Sequence, residues 1–266
     1  MVTQFSLSQR AQLAEKARQR FLAEAGRAMV DLSAAVQNRL SELMGEAGSS
    51  RDMQSRRDAW MLFQQSRTAW LDGTVKVWEA ALKPPDKKDK LLKDEEEAGL
   101  ELVGTDVVEN KILASRLVMG VMEQVSSELD DLRIRIKFLE GREELDGHDI
   151  LRPEVSILLM VEQWATCGMP RDSWPMVNDV VHKLLTERLK VAYAHCNEFL
   201  IEQGVMPNID LKDRVKRAPA TSGGRPGSPR GQDAGHAPQE DANSQRGQGQ
   251  AAYPADSGAY GAGAPQ

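Results

Sequence analysis

Val118-Met-Gly-Val-Met-Glu-Gln-Val-Ser-Ser-Glu-Leu-Asp-Asp-Leu-Arg-Ile-Arg-Ile-Lys-Phe-Leu139 is the stretch from which the fold is read. Val118, Met122, Val125, Leu129, Leu132, Ile136 and Leu139 are spaced alternately four and three apart, an unbroken heptad seam on one helix. Between them lie Glu123, Gln124, Glu128, Asp130, Asp131, Arg133, Arg135 and Lys137, which the pattern assigns to water. Such a helix cannot stand alone. Its seam must lie on another helix, in the same chain as core or in a second copy as a self-association face. The residues expected to carry that contact are Met122, Val125, Leu129, Leu132 and Ile136.

Working outward, the chain supplies further helices. Ser6 or Ser8 can cap a first helix reaching about Met44, with Leu22, Ala25, Met29, Leu32, Val36, Leu40 and Leu43 on one face. A second helix is expected from about Arg51 to Leu82. Trp60 and Trp78 stand eighteen residues apart, five full turns, so they should point the same way, with Phe63, Trp70, Leu71 and Val75 nearby. The expected partner of this aromatic face is the first helix. Arg67, inside that stripe, is expected to snorkel or to pair with an acid.

Prolines and charges from Lys83 to Lys90, followed by Asp94-Glu-Glu-Glu97, read as a solvated linker. Asp106 and Glu109 make a capping box for the seam helix, which Gly141 ends. Pro153 suits the first position of a short apolar helix to Thr166. Ser173 can cap a last helix from about Pro175 to Gln203, ended by Gly204 with Val205 packing back. From Ala218 the composition turns to Gly, Pro, Ser, Gln and Ala, which cannot bury a core. The expected organisation is an all-α chain: a helical hairpin over 1–82, a charged linker over 83–99, a helical core over 100–211 and a disordered tail over 212–266.

The composition narrows the function classes. A net charge of −6 supplies no global basic field for nucleic acid or acidic lipid. Two cysteines, Cys167 and Cys196, suit a reduced cytosol, and the start of the chain lacks the pattern of a signal peptide. The densest apolar run, Ile157 to Val161, is too short to span a bilayer. A cytoplasmic protein with no membrane contact is expected.

No active site assembles along the chain. The four histidines form no His-Glu-x-x-His pair, and His195 and Cys196 are neighbours that point about 100° apart on a helix. There is no phosphate-binding Gly loop before a Lys, no calcium loop and no metal spacing, so no catalytic residue, metal or cofactor is expected. Arg152, His182, Arg188 and His195 are the candidate contacts for a ligand between core helices.

Leu102-Val103 with Asp106, Val108, Glu109 and Lys111, then Leu132-Arg-Ile with Leu139 and Gly141, then Arg152-Pro-Glu154, then Asn197-Glu-Phe-Leu-Ile-Glu-Gln-Gly-Val-Met-Pro207 recur in that order. With these residues the segment from Leu102 to Ile209 resembles the bacterial domain-of-unknown-function 1631 family. The resemblance implies a mostly helical cytosolic protein and transfers no catalytic residue. Because family members are typically longer, it also implies a short member or a truncated product. The favoured expectation is a helical scaffold or regulatory protein that binds a protein partner or itself through the seam. The alternative is a small-ligand sensor or enzyme with a site between core helices. Nucleic-acid contact through the basic stretch from Lys212 to Arg230 ranks last.

Overall fold

The computed structural model describes residues 5–83 and 105–209. Their regular elements are helices alone: α1 (Leu7–Met44), α2 (Ser50–Ala81), α3 (Thr105–Glu140), α4 (Pro153–Thr166), a 3-10 segment (Arg171–Met176) and α5 (Asn178–Glu202). The linker beyond Lys83, the side chain of Asp106 and the whole basic stretch and tail from Asp210 lie outside the described residues.

Local signals set the helix ends. Ser6 caps α1, accepting from the Gln9 N–H at 3.2 Å while the Gln9 side chain accepts from the Ser6 N–H. Ser49 and Asp52 do the same for α2. Hydrogen bonding to Ser49 holds the Asp52 carboxyl below its ordinary pKa. Pro153 opens α4. Gly204 takes φ 79°, and the Val205 N–H returns to the Leu200 carbonyl at 2.9 Å, closing α5 with Val205 buried beneath it.

The helices share one continuous core. α1 and α5 run antiparallel, with Glu24 meeting His195 and Asp31 meeting Arg188. α3 and α5 run parallel, with Gly120 against His182 and Arg135 against Asn197. α4 lies across α2, whose Trp70 and Trp78 indole N–H groups donate to the Met160 and Ser156 carbonyls at 3.2 and 2.9 Å. Phe63, Trp70, Trp164 and Trp174 form a chain of ring contacts with centroids 5.2–5.9 Å apart.

Several expectations change in the folded chain. The aromatic face of α2 is sealed by α4 as well as α1, and Trp60 stands apart from it, half-buried near the hairpin turn. The eighteen-residue spacing gives the two rings a common direction and says nothing about which neighbour lies opposite each of them. Among the described residues Arg67 pairs with no acid. Its Nε donates to Ser33 Oγ at 3.4 Å and its Nη1 donates to Gln37 Oε1. Ser173 does not cap the last helix. Its hydroxyl donates to the Pro170 carbonyl inside the 3-10 segment, and α5 opens after Val177 with no side-chain cap.

The seam also shifts. Val125, Leu129, Leu132, Ile136 and Leu139 are buried, but above them the line continues through Val121, Leu117 and Ala114. Met122 and Val118 are half-buried on its flank. The buried spacing of three, four, four, four, three, four, three follows the natural helical period more closely than a strict heptad. Arg135, expected in water, is 3% exposed; its Nη1 donates to Asn197 Oδ1 at 2.8 Å, and Asn197 Nδ2 donates to the Glu128 carbonyl at 2.8 Å. A guanidinium is tolerated there because hydrogen bonds replace its water.

Candidate functional site

The four residues put forward as ligand contacts do not converge. Arg152 precedes α4, and its Nη2 donates to the Leu145 carbonyl at 3.4 Å. Arg188 and His195 lie seven residues apart, hence on one face of α5, and each meets an acid of α1. Arg188 reaches Asp31 at 2.7 Å and His195 Nδ1 lies 3.0 Å from Glu24 Oε1. These two residues flank the α1–α5 contact as a charge ladder. His182 alone lines a cavity.

One partly buried ionic cluster joins residues that the sequence reading did not single out. Arg18 on α1 meets Glu140 at 2.7 Å and Asp149 at 2.5 Å, and Asp149 also accepts the Leu151 N–H at 3.0 Å. Burial by itself would lower the Arg18 pKa, but the hydrogen bonds and charges of Asp149 and Glu140 outweigh it and raise it above the ordinary value. This cluster ties α1 to the end of α3 and to the loop before α4. Arg18 lies four residues after Ala14 and three before Phe21, so its place on the buried face was readable from spacing.

The thiols are poor nucleophiles. Burial pushes Cys196 up to about 12, and its Sγ donates to the Ala17 carbonyl at 3.5 Å. Burial also raises Cys167. Tyr193, stacked on Phe21 with its hydroxyl on the Leu151 carbonyl at 3.0 Å, is pushed well above the ordinary phenol value by burial. These groups pack; they are not poised to react. Among the described residues no group of three or more His, Cys, Asp or Glu is placed to hold a metal ion, and no helix is long and apolar enough to cross a membrane.

Two concavities stand out among the described residues. The first, of about 260 Å³, lies where α3, the 3-10 segment and the start of α5 meet. Leu113, Leu117 and Trp174 give it an apolar floor, and Arg116, Asp179 and His182 line it. Gly120 makes room for the imidazole: a Cβ there would stand 2.2 Å from His182 Nε2. Both positions are on packed helices, so a larger side chain at 120 must displace the ring. The second is an open groove of about 600 Å³ near the turn of the α1–α2 hairpin, lined by Met44, Met53, Arg57, Trp60 and Met61. Met44, Met53 and Met61 are 41–49% exposed. Arg57 has no hydrogen-bond or ion-pair partner among the described residues, whereas neighbouring Arg56 donates to the Glu46 carbonyl at 2.9 Å and so closes the end of α1. Neither concavity was anticipated as a unit, because each joins residues of separate segments.

No curated protein and no solved structure matches the chain. The model for the N-terminal domain of a protein family of unknown function, DUF1631, matches residues 9–204. It therefore takes in α1 and α2 as well as the segment from Leu102 on which the sequence resemblance rests. A match over well more than half of the length, on a chain whose described residues are helical throughout, has one reading: this protein belongs to the DUF1631 family.

Proposed function

We propose that the chain is a helical protein-interaction module without catalytic activity of its own. The observation that carries this reading is the groove at the hairpin turn. Three exposed methionines, a half-buried tryptophan and an arginine without a partner among the described residues gather there on the outside of the bundle. Methionine adapts its shape to a partner, and Trp and Arg are the residue types that most often anchor interfaces. The seam residues Val125, Leu129, Leu132 and Ile136 are used inside the chain and offer no free face in this fold. A partner helix with an apolar edge in the groove and a carboxylate toward Arg57 fits the chemistry of the lining.

The test is affinity capture from a native lysate with the intact chain and with a Met53→Glu, Met61→Glu chain. Both positions are about half exposed, so the double variant keeps its helical signal. A stoichiometric partner lost with the double variant supports the reading. A partner retained by it, or an empty capture with the folded parent, overturns it.

A second reading, a small-ligand sensor, is favoured by one observation: His182 lines a cavity between α3 and α5 together with Arg116 and Asp179.

A further inference from the structure

We infer that the cavity between α3 and α5 is a binding site for a small zwitterion with an apolar side chain, of the size and chemistry of a free amino acid; this inference rests on the ligand-sensor reading. Arg116 and Asp179 line the same cavity with opposite charges, yet they do not come within ion-pair distance of each other. Neither they nor the His182 imidazole have a hydrogen-bond or ion-pair partner among the described residues. Two opposite charges held apart across an apolar floor are satisfied together by one molecule carrying both.

The floor is apolar and rigid. Trp174 is buried, and its indole N–H is taken by Asn178 Oδ1 at 3.2 Å, so the ring offers its hydrocarbon rather than a donor. Leu117 is buried beside it. In this arrangement the Arg116 guanidinium takes the carboxylate, Asp179 takes the ammonium, and the side chain lies on the half-buried Leu113, above the buried Trp174 and Leu117. His182, pressed against Gly120, closes one wall and has a ring nitrogen to spare for the ligand. The volume of about 260 Å³ is sufficient for an amino acid.

The experiment is a titration of the intact chain with L-leucine, N-acetyl-L-leucine and L-leucinamide, followed by backbone amide chemical shifts. Saturable shifts at Arg116, Gly120, Asp179 and His182, with L-leucine binding at least tenfold tighter than either blocked form, are expected. Arg116→Gln should erase the preference over L-leucinamide, and Asp179→Asn the preference over N-acetyl-L-leucine. Equal binding of all three compounds at these residues would overturn the zwitterion inference and leave the sensor reading standing. No saturable shift with any of them would overturn both.

Discussion

The two long flanks of the bundle are joined by different chemistry. Where α2 meets α4, the contact is aromatic and its polar links are neutral: indole N–H groups on backbone carbonyls. Where α1 meets α5 and the loop before α4, the contact is framed by ion pairs, Arg18 with Asp149 and Glu140 and Asp31 with Arg188, and by the polar contact of Glu24 with His195. The aromatic side draws its strength from area removed from water, which salt barely touches. The ionic side fixes register through charges whose loss leaves a partner stranded. One core therefore holds together by two mechanisms with different sensitivities to truncation, salt and pH.

The sharpest break is expected on the aromatic side. Trp164 touches Phe63, Trp70 and Trp174, so Trp164→Ala should cost about 4 kcal/mol in urea unfolding. On the ionic side, Arg18→Met should cost about 3 kcal/mol, because it strands a carboxylate on a residue that is 6% exposed. Adding Asp149→Asn to it should recover part of that loss, since the amide still accepts from the Leu151 N–H. A double variant no more stable than Arg18→Met would mean that the ion pair is not what Arg18 contributes.

Smaller effects refine the contrast. Trp78→Phe removes a donor from the Ser156 carbonyl, which keeps its helical partner, so a loss of about 1.5 kcal/mol is expected, unchanged between low and high salt. Cys196 gives the ionic side a pH response. Its folded pKa of about 12 lies above that of an unfolded thiol, so the folded chain holds the proton more tightly. That contribution is complete below the unfolded value and is lost as pH rises toward 12. Urea midpoints at pH 8 and 10 should show about 1 kcal/mol more loss for the parent than for Cys196→Ala. Least of all, Arg188→Gln should cost about 0.5 kcal/mol, and only at low salt, because Arg188 and Asp31 are each 47% exposed. A salt-independent loss there would remove the distinction between the two flanks.

Much of the helical layout was legible before the structure. Ser6, Pro153 and Gly204 are local signals, and each marks a helix end in the folded chain, whereas the Ser49–Asp52 box was not among the expected caps. The last helix shows the limit. Ser173 has a capping residue's chemistry, but its hydroxyl is taken by Pro170, and Pro175 continues a 3-10 segment, so the cap fell to Val177. The candidate site was less legible. Of the four polar residues put forward, His182 alone reaches a cavity, and its neighbours Arg116 and Asp179 carried no signal beyond being charged.

What the sequence by itself determined is the helical class, the family, and the azimuth of the apolar stripes over most of their length, because a period near 3.6 and short-range capping depend only on residues a few positions apart. What only the tertiary structure decided is which stripe covers which. The pairing of α4 with α2, the parallel approach of α3 and α5 at Gly120, the partners of Arg18, the burial of Arg135, and the exposure of the methionines at the hairpin turn follow from that choice. Periodicity sets the direction a side chain takes from its own axis. Whether it meets water, an acid or an indole depends on the neighbour, and neighbours here are separated by tens of residues of chain.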